Sequence, residues 1–105
     1  EAPTALETKA IHLVQNSHLL ESKRTTGKVL ADWSETGKGI TRVIGWKAQA
    51  VGKSEVYFVT YNYDDDQYDF NGIKYFFFEA NTKTGKVLKA NETLTAKYKK
   101  LGFIE

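Results

Sequence analysis

The stretch FNGIKYFFFEANTKTGKVLKAN at residues 70–91 constrains the fold more than any other part of the chain. It predicts a β-hairpin with a long aromatic strand at 72–80, a polar turn at 81–85 and a short return strand at 86–89. Aromatic residues occupy both faces of the long strand, which is typical of a central strand covered on both sides at least in part. We therefore expect most of the remaining chain to pair with this hairpin or to cover one of its faces.

Two further strands are predicted before the hairpin, because hydrophobic residues alternate with a period of two from Ile40 onward. A two-residue turn at 52–53, with Gly52 at positive φ, would join them, so that the second strand spans 54–63. The first strand is expected to place Ile44, Trp46, Ala48 and Ala50 on one face and Val43, Lys47 and Gln49 on the other. The second is expected to place Tyr57, Val59, Tyr61 and Tyr63 on one face and Val56, Phe58 and Thr60 on the other.

Capping signals and apolar spacing predict three helices. Thr4 and Glu7 have the spacing of a capping box, which indicates a helix at 4–16. A threonine at 25 or 26 is expected to cap a second helix, and Asn91 or Thr93 a third that ends at Gly102. The expected buried faces are Leu6, Ala10, Leu13 and Val14 in the first helix, Val29, Leu30 and Trp33 in the second, and Leu94, Tyr98 and Leu101 in the third.

This order of elements predicts an α+β fold. The N-terminal helices would pack on one face of a four-stranded antiparallel meander, with a short C-terminal helix after it. A chain of 105 residues is long enough for one domain, spanning residues 1–105. Trp33 and Trp46 are both expected in the core, one from the second helix and one from the sheet.

Composition excludes several kinds of function. Cysteine is absent, so the chain has no disulfide, thiolate metal site or thiol nucleophile. No apolar run approaches the roughly 20 residues of a membrane span. The net charge of +2 is too small to indicate a nucleic-acid partner. Position 1 is not methionine, and the start Glu-Ala-Pro-Thr resembles the residues that follow a removed signal peptide. We therefore expect an exported protein, periplasmic or extracellular. Tethering to a membrane through the removed N-terminal segment is compatible with this expectation. The alternative is that the sequence is an excised domain.

Two segments resemble bacterial exported domains. The hairpin FFEANTKTGKVL at 77–88 resembles the end of PepSY-type domains, whose last hairpin carries a similar D-A-x-T-G-x-V turn, although Asn81 stands where they often have Asp. A second resemblance involves the segment from Val14 to Ser17 and the later residues Thr26, Leu30 and Trp33. This pattern resembles uncharacterised domains of exported proteins and lipoproteins that join two helices to a β-meander. The resemblances imply a small exported bacterial domain, and they bring no catalytic residues with them.

The expected layers are also similar to the cystatin fold, in which a helix packs against an antiparallel sheet. Cystatins insert a Q-x-V-x-G hairpin into cysteine proteases. The segment Gln49-Ala50-Val51-Gly52 lies at a predicted hairpin but is one residue too short for that motif. A cystatin-like protease inhibitor is therefore an alternative function.

No constellation of residues indicates catalysis, and we predict no enzyme activity, no cofactor and no metal. His12 and His18 are six residues apart, which places them on different faces of a helix. Asn62, Asp64 and Asp66 have the alternating spacing of a calcium loop, but Gln67 replaces the expected glycine and the final glutamate is missing. There is no G-x-S-x-G motif and no phosphate-binding glycine loop. The lysine-rich last quarter of the chain is interpreted as a solvated surface, not as a nucleic-acid site.

A binding module remains the preferred interpretation, with an unknown protein or small ligand as partner and a monomer or weak homodimer as the assembly. Tyr57, Tyr61 and Tyr75 are predicted to share one exposed sheet face and to form the binding surface. If they are buried, the face with Phe58, Phe76 and Phe78 is expected to bind, with Lys47 and Lys74 nearby. A structural accessory domain that self-associates is the other alternative.

Overall fold

The computed structural model describes residues 4–36, 40–65 and 73–104. Its strands form one antiparallel sheet in the order β1-β2-β3-β4, with helices on both sides. The predicted α+β fold, with a four-stranded antiparallel meander and a short C-terminal helix, is confirmed. The elements are α1 (Ala5–Gln15), α2 (Thr26–Thr36), β1 (Ile40–Ala50), β2 (Val56–Asp65), β3 (Ile73–Asn81), β4 (Val87–Lys89) and α3 (Glu92–Lys100).

Helix α1 begins with the predicted capping box. The Thr4 hydroxyl accepts a hydrogen bond from the Glu7 N–H at 3.2 Å, and the Glu7 carboxylate accepts one from the Thr4 N–H at 2.7 Å. The buried residues are Ala10, Ile11 and Val14, and the expectation that Leu6 is buried is wrong because its side chain is 51% exposed. Ala10 and Val14 belong both to a stripe that includes Leu6 and to a stripe that includes Ile11. The stripe with Ile11 packs on the sheet.

Helix α2 packs through Val29 and Leu30, both fully buried. The prediction that Trp33 lies in the core is wrong, because 43% of its surface is exposed. Trp33 lies one turn beyond Val29, where it reaches only the rim of the core and contacts the ring of Phe76 at 6.0 Å between centroids. Trp46 is partly buried against the core, with its ring 4.8 Å from that of Tyr61.

A bulge in β1 changes the predicted alternation. Val43 pairs with Tyr63 and Gly45 pairs with Asn62, so Ile44 is an extra residue in this strand. Gly45 has a φ of +103°, which glycine adopts most readily. The faces predicted for Val43 and Ile44 are therefore wrong, because Val43, and not Ile44, projects from the same face as Trp46.

The connection between β1 and β2 is longer than predicted. The Val51 N–H donates to the Val56 carbonyl at 3.0 Å, so residues 52–55 form the loop instead of residues 52–53 alone. The Ser54 hydroxyl closes this loop by donating to the Val51 carbonyl at 2.7 Å. Gly52 has the expected positive φ, at +63°. Strand β2 consequently begins at Val56, two residues later than predicted.

The β3–β4 hairpin turns where predicted. The Asn81 side-chain oxygen accepts hydrogen bonds from the N–H groups of Lys83 and Thr84 at 2.9 and 3.1 Å. Gly85 completes the turn with a φ of +77°. These local hydrogen bonds explain why the turn could be predicted from the sequence. The return strand pairs over only three residues, from Val87 to Lys89.

The first face of the sheet, which carries Tyr57, Val59 and Tyr61, is covered by α1 and α2 and forms the main core. Alanines on both partners, among them Ala10 and Ala80, are fully buried in it. The other members of this core are Ile11, Val14, Leu30, Ala48, Tyr63 and Phe78.

The second face, which carries Phe58 and Thr60, is covered at one end by α3. The side chain of Asn91 caps this helix by accepting from the Leu94 N–H at 2.9 Å. Gly102, with a φ of +86°, ends it, and the Phe103 N–H returns to the Tyr98 carbonyl at 2.9 Å. Leu94 and Tyr98 are buried as predicted, but Leu101 is 52% exposed because the chain has already turned at the glycine.

Candidate functional site at the uncovered end of the sheet

The strand register arranges the second face into rows of neighbouring side chains. Residues paired across antiparallel strands project from the same face, so each row runs from β1 through β2 to β3. The rows are Gln49–Phe58–Glu79, Lys47–Thr60–Phe77 and Gly45–Asn62–Tyr75. In this order, the rows lead from the end of the sheet that α3 covers to the opposite end.

Helix α3 and the residues after it cover the first row. The ring of Phe58 packs 4.6 Å from that of Tyr98 and 5.2 Å from that of Phe103. The Tyr98 hydroxyl donates to a carboxylate oxygen of Glu79 at 2.6 Å, and the Lys97 ammonium contacts the same oxygen at 2.7 Å. This polar cluster fixes the position of α3 on the sheet.

Burial and their mutual hydrogen bond shift the pKa values of both Glu79 and Tyr98. Partial burial raises the pKa of the Glu79 carboxyl, but the hydrogen bonds from Lys97 and Tyr98 outweigh it and hold the pKa below its usual range. Burial, reinforced by the Glu79 carboxylate, raises the pKa of the Tyr98 hydroxyl. Glu79 is therefore an anion and Tyr98 a neutral donor at neutral pH. We interpret the cluster as structural, because both donors, Lys97 and Tyr98, belong to α3 and attach this helix to β3 through Glu79.

Beyond α3 the second face opens into a cavity of about 240 Å³, here called the polar depression. It is lined by residues of all three rows and by Phe103, which follows α3. Its lining residues are Lys47, Gln49, Phe58, Thr60, Asn62, Tyr75 and Phe103.

Polar groups of the central strand β2 form the floor of the polar depression. Thr60 is only 8% exposed. The side-chain oxygen of Asn62 is buried, and no described residue donates a hydrogen bond to it. An unpaired buried acceptor costs about 1–3 kcal/mol, so this oxygen is an unusual group in a stable core. Gly45 beside it has no side chain, and an added Cβ would meet nothing within 4 Å.

An aromatic ring and a cation form the walls. Tyr75 is 45% exposed, and its ring lies 6.1 Å from that of Phe77. Burial of part of the ring raises the pKa of the Tyr75 hydroxyl, which is therefore a neutral donor and acceptor at neutral pH. Lys47 is exposed at the β1 side. The site offers amides, hydroxyls, one ammonium group and one flat apolar surface.

The three tyrosines predicted to form a binding surface do not lie together. Tyr57 and Tyr61 are only 7% and 5% exposed, because they lie on the first face under the N-terminal helices. Tyr75 lies on the second face, since it pairs with Asn62 while Tyr61 pairs with Phe76. The predicted patch is therefore wrong, and Tyr75 alone belongs to the open surface.

The residues named for the alternative surface are divided between the two faces. Phe58 and Lys47 line the polar depression, and the side chain of Lys74 lies outside the described part of the chain. Phe76 and Phe78 contribute to the core of the first face instead. One signal in the sequence was not used. Thr60 and Asn62 follow Phe58 at alternate positions of a strand otherwise rich in β-branched and aromatic residues, so all three project from the same face. Two polar residues in a row on one face of a central strand indicate that the layer above them is open.

The remaining candidate residues do not form a second site. His12 is exposed, and a ring nitrogen of His18 lies 3.1 Å from the Arg24 carbonyl oxygen, in the connection between α1 and α2. Among the side chains that the structure describes, no group of three or more acidic or histidine residues could hold a metal ion. Most of the aspartate cluster at 64–69 lies outside the described residues, so the absence of a metal stays a prediction.

Comparison with known proteins identifies no relative: no family model, curated protein or solved structure matches the chain. In the described ranges, none of the helices has the length and apolar character needed to cross a bilayer.

Proposed function

We propose that this chain is a non-enzymatic binding module and that the polar depression is its binding site. The observation that carries the proposal is the position of Thr60 and Asn62 beneath an opening that α3 leaves uncovered. Binding sites typically combine apolar walls with a few convergent polar groups. Here Tyr75 and Phe103 supply the apolar walls, and the β2 side chains supply the polar groups.

The size and chemistry of the polar depression favour a small polar ligand. A cavity of about 240 Å³ is smaller than the typical pocket for a drug-sized molecule. A ligand with hydroxyl or amide groups would match the lining, and one flat apolar side would pack on Tyr75. Lys47 favours a ligand that also carries a negative charge.

The setting proposed for this module is an exported bacterial protein, periplasmic or extracellular. Support for that setting comes from the PepSY-like hairpin at 77–88 and from the helix pair that resembles exported domains. The cystatin-like alternative is less favoured, because Val51 packs against the cluster under α3 instead of projecting as a wedge. Self-association as an accessory domain is the remaining alternative, and sedimentation at two protein concentrations distinguishes it.

The proposal is tested by ligand screening with ¹⁵N-labelled protein and mixtures of small hydroxylated, amide and carboxylate compounds. We expect a hit to shift the amide signals of Thr60, Asn62 and Tyr75. Tyr75→Ser should abolish the response. Leu88→Ser is the matched control, because Leu88 is an exposed apolar residue beside Glu79, outside the polar depression. Hits that map to other surfaces, or that survive Tyr75→Ser unchanged, would contradict the proposal.

A further inference from the structure

Strand β4 covers only part of the outer edge of β3. The pairs are Phe78–Lys89, Glu79–Leu88 and Ala80–Val87, whereas β3 extends back to Ile73. After Lys89 the chain leaves the sheet and enters α3 through its cap at Asn91. The segment 73–77 of β3 therefore has no strand beside it on this side among the described residues.

The hydrogen bonds of the hairpin show which main-chain groups lie on this free edge. The Asn81 N–H donates toward β4, to the Lys86 carbonyl at 2.8 Å, and the Thr82 N–H donates in the opposite direction, to the Glu55 carbonyl at 3.0 Å. Main-chain groups alternate in direction along a strand, so Phe77 and Tyr75 share the orientation of Asn81. The main-chain groups of Phe77 therefore face Ala90, directly after β4, and those of Tyr75 point past the end of β4. No main-chain hydrogen bond from a described residue outside the strands reaches them.

A groove of about 250 Å³ runs along the same edge. Ala90, directly after β4, has a small side chain that leaves the groove accessible. Leu20, from the connection between α1 and α2, borders the groove. The groove is lined by Leu20, Tyr75, Phe76, Phe77, Phe78, Lys89 and Ala90.

The outer edge of β1 differs from this edge. Its register with β2 is interrupted twice, between Ile40 and Arg42 and again between Val43 and Gly45. Bulges of this kind are a common way in which proteins protect an edge from pairing with another strand. By contrast, β3 keeps a continuous register with β2 from Ile73 to Asn81. The strand β3 is therefore regular throughout, whereas β1 is regular only from Gly45 to Ala50, and a regular edge is a template for strand addition.

We infer that residues 73–77 bind an extended polypeptide segment of a partner protein, which pairs antiparallel to β3 in line with β4. Alternate apolar side chains of this segment would pack beside Leu20 and Phe76 on the first face and beside Tyr75 and Phe77 on the second. Lys89, exposed and without an ion pair among the described residues, favours an acidic residue where the segment meets the end of β4. This inference does not depend on a ligand in the polar depression.

The test uses a fluorescent eight-residue peptide of alternating valine and threonine with one glutamate near the end that would face Lys89. We expect saturable binding by anisotropy and shifts of the Tyr75 and Phe77 amide signals. A peptide with N-methyl groups on the amides that face β3 should not bind, because it cannot form the main-chain bonds. The same peptide methylated on the opposite amides should still bind.

Two protein variants refine the test. Lys89→Glu should weaken binding about two- to fivefold, the size of an exposed ion pair. Lys86→Glu, an exposed lysine of the same hairpin outside the groove, should leave binding unchanged. Asn62→Leu removes a polar group from the polar depression and should also leave peptide binding unchanged, so failure of one site is distinguishable from failure of the other. Equal binding of both methylated peptides, shifts confined to other surfaces, or self-pairing of β3 in a dimer without peptide binding would overturn the inference.

Discussion

On the central strand β2 the two faces are buried to similar depths but use different chemistry. On β2, Tyr57, Val59 and Tyr61 face the N-terminal helices, while Phe58 and Thr60 face the side of α3, and all five are less than 9% exposed. The first face is covered along the strand by two helices, and among the described residues the second is covered at one end only, by α3. The difference teaches that burial alone does not identify a structural core. The proposed binding site contains a buried threonine and a buried asparagine oxygen to which no described residue donates a hydrogen bond.

The largest effect should come from exchanging tyrosine for serine on each face in turn. Tyr61→Ser removes a buried ring that packs on Trp46, and we expect it to lower the free energy of unfolding by about 3–5 kcal/mol. Tyr75→Ser, at an exposed position, should change it by no more than about 0.5 kcal/mol. Urea unfolding of both variants measures the difference. Equal losses would mean that the two faces do not differ as described.

A smaller effect is expected where α3 is attached to the second face. Tyr98→Phe keeps the ring that packs on Phe58 but removes the hydroxyl that donates to Glu79. A hydrogen bond to a charged group contributes about 1.5–3 kcal/mol, and we expect a loss in this range. Thermal unfolding monitored in the near ultraviolet provides the measurement. A neutral outcome would show that Lys97 alone positions the carboxylate.

Acid should weaken the same attachment. The pKa of Glu79 is lower in the folded protein than in the unfolded chain, so the unfolded chain binds a proton more readily. Its contribution to stability is therefore complete above the unfolded pKa and is lost as the pH falls through the folded pKa. Glu79→Gln should flatten the decline in stability below about pH 4.3, the ordinary pKa of glutamate. Unfolding curves at a series of pH values test this; parallel profiles for the two proteins would contradict it.

The smallest effect should come from the floor of the polar depression. Asn62→Leu removes the unpaired oxygen, and we expect stability to stay unchanged or to rise by up to about 1 kcal/mol. Thr82→Val is the contrasting control, because the Thr82 hydroxyl donates to the Glu55 carbonyl at 3.1 Å and its loss should cost about 1 kcal/mol. Chemical unfolding of both variants gives the comparison. A loss above 1 kcal/mol in Asn62→Leu would show that the amide is a structural group.

The features that the sequence predicted correctly are those set by neighbouring residues. The capping box at Thr4, the cap at Asn91, the turn at 81–85 and the stop at Gly102 each depend on contacts within a few positions. Such contacts leave a recognisable spacing in the sequence. The order of strands in a meander follows from the same short connections.

The position of the proposed binding surface depends on the strand register, which the spacing of residues in the sequence does not determine. Tyr75 and Tyr61 lie on opposite faces because Asn62, not Tyr61, pairs with Tyr75. A shift of one residue in that pairing would have placed the two tyrosines on the same face. Residues 66–72 separate β2 from β3 in the sequence, and a connection of that length does not fix the register as a two-residue turn does. Lys47, Phe58 and Tyr75 were therefore named from the sequence, but their position on one face with Thr60 and Asn62 was not predicted.

The bulge at Ile44 and Gly45 gives β1 a change of phase partway along its length. Residues after Gly45 alternate in one phase with β2, and residues before it alternate in the other. Deleting Ile44 should therefore remove the change of phase and leave the flanking partners unchanged, since Val43 opposite Tyr63 and Gly45 opposite Asn62 would then be consecutive pairs. The single extra residue thus keeps Val43 and Trp46 on the same face of the sheet, although they are three positions apart in the sequence.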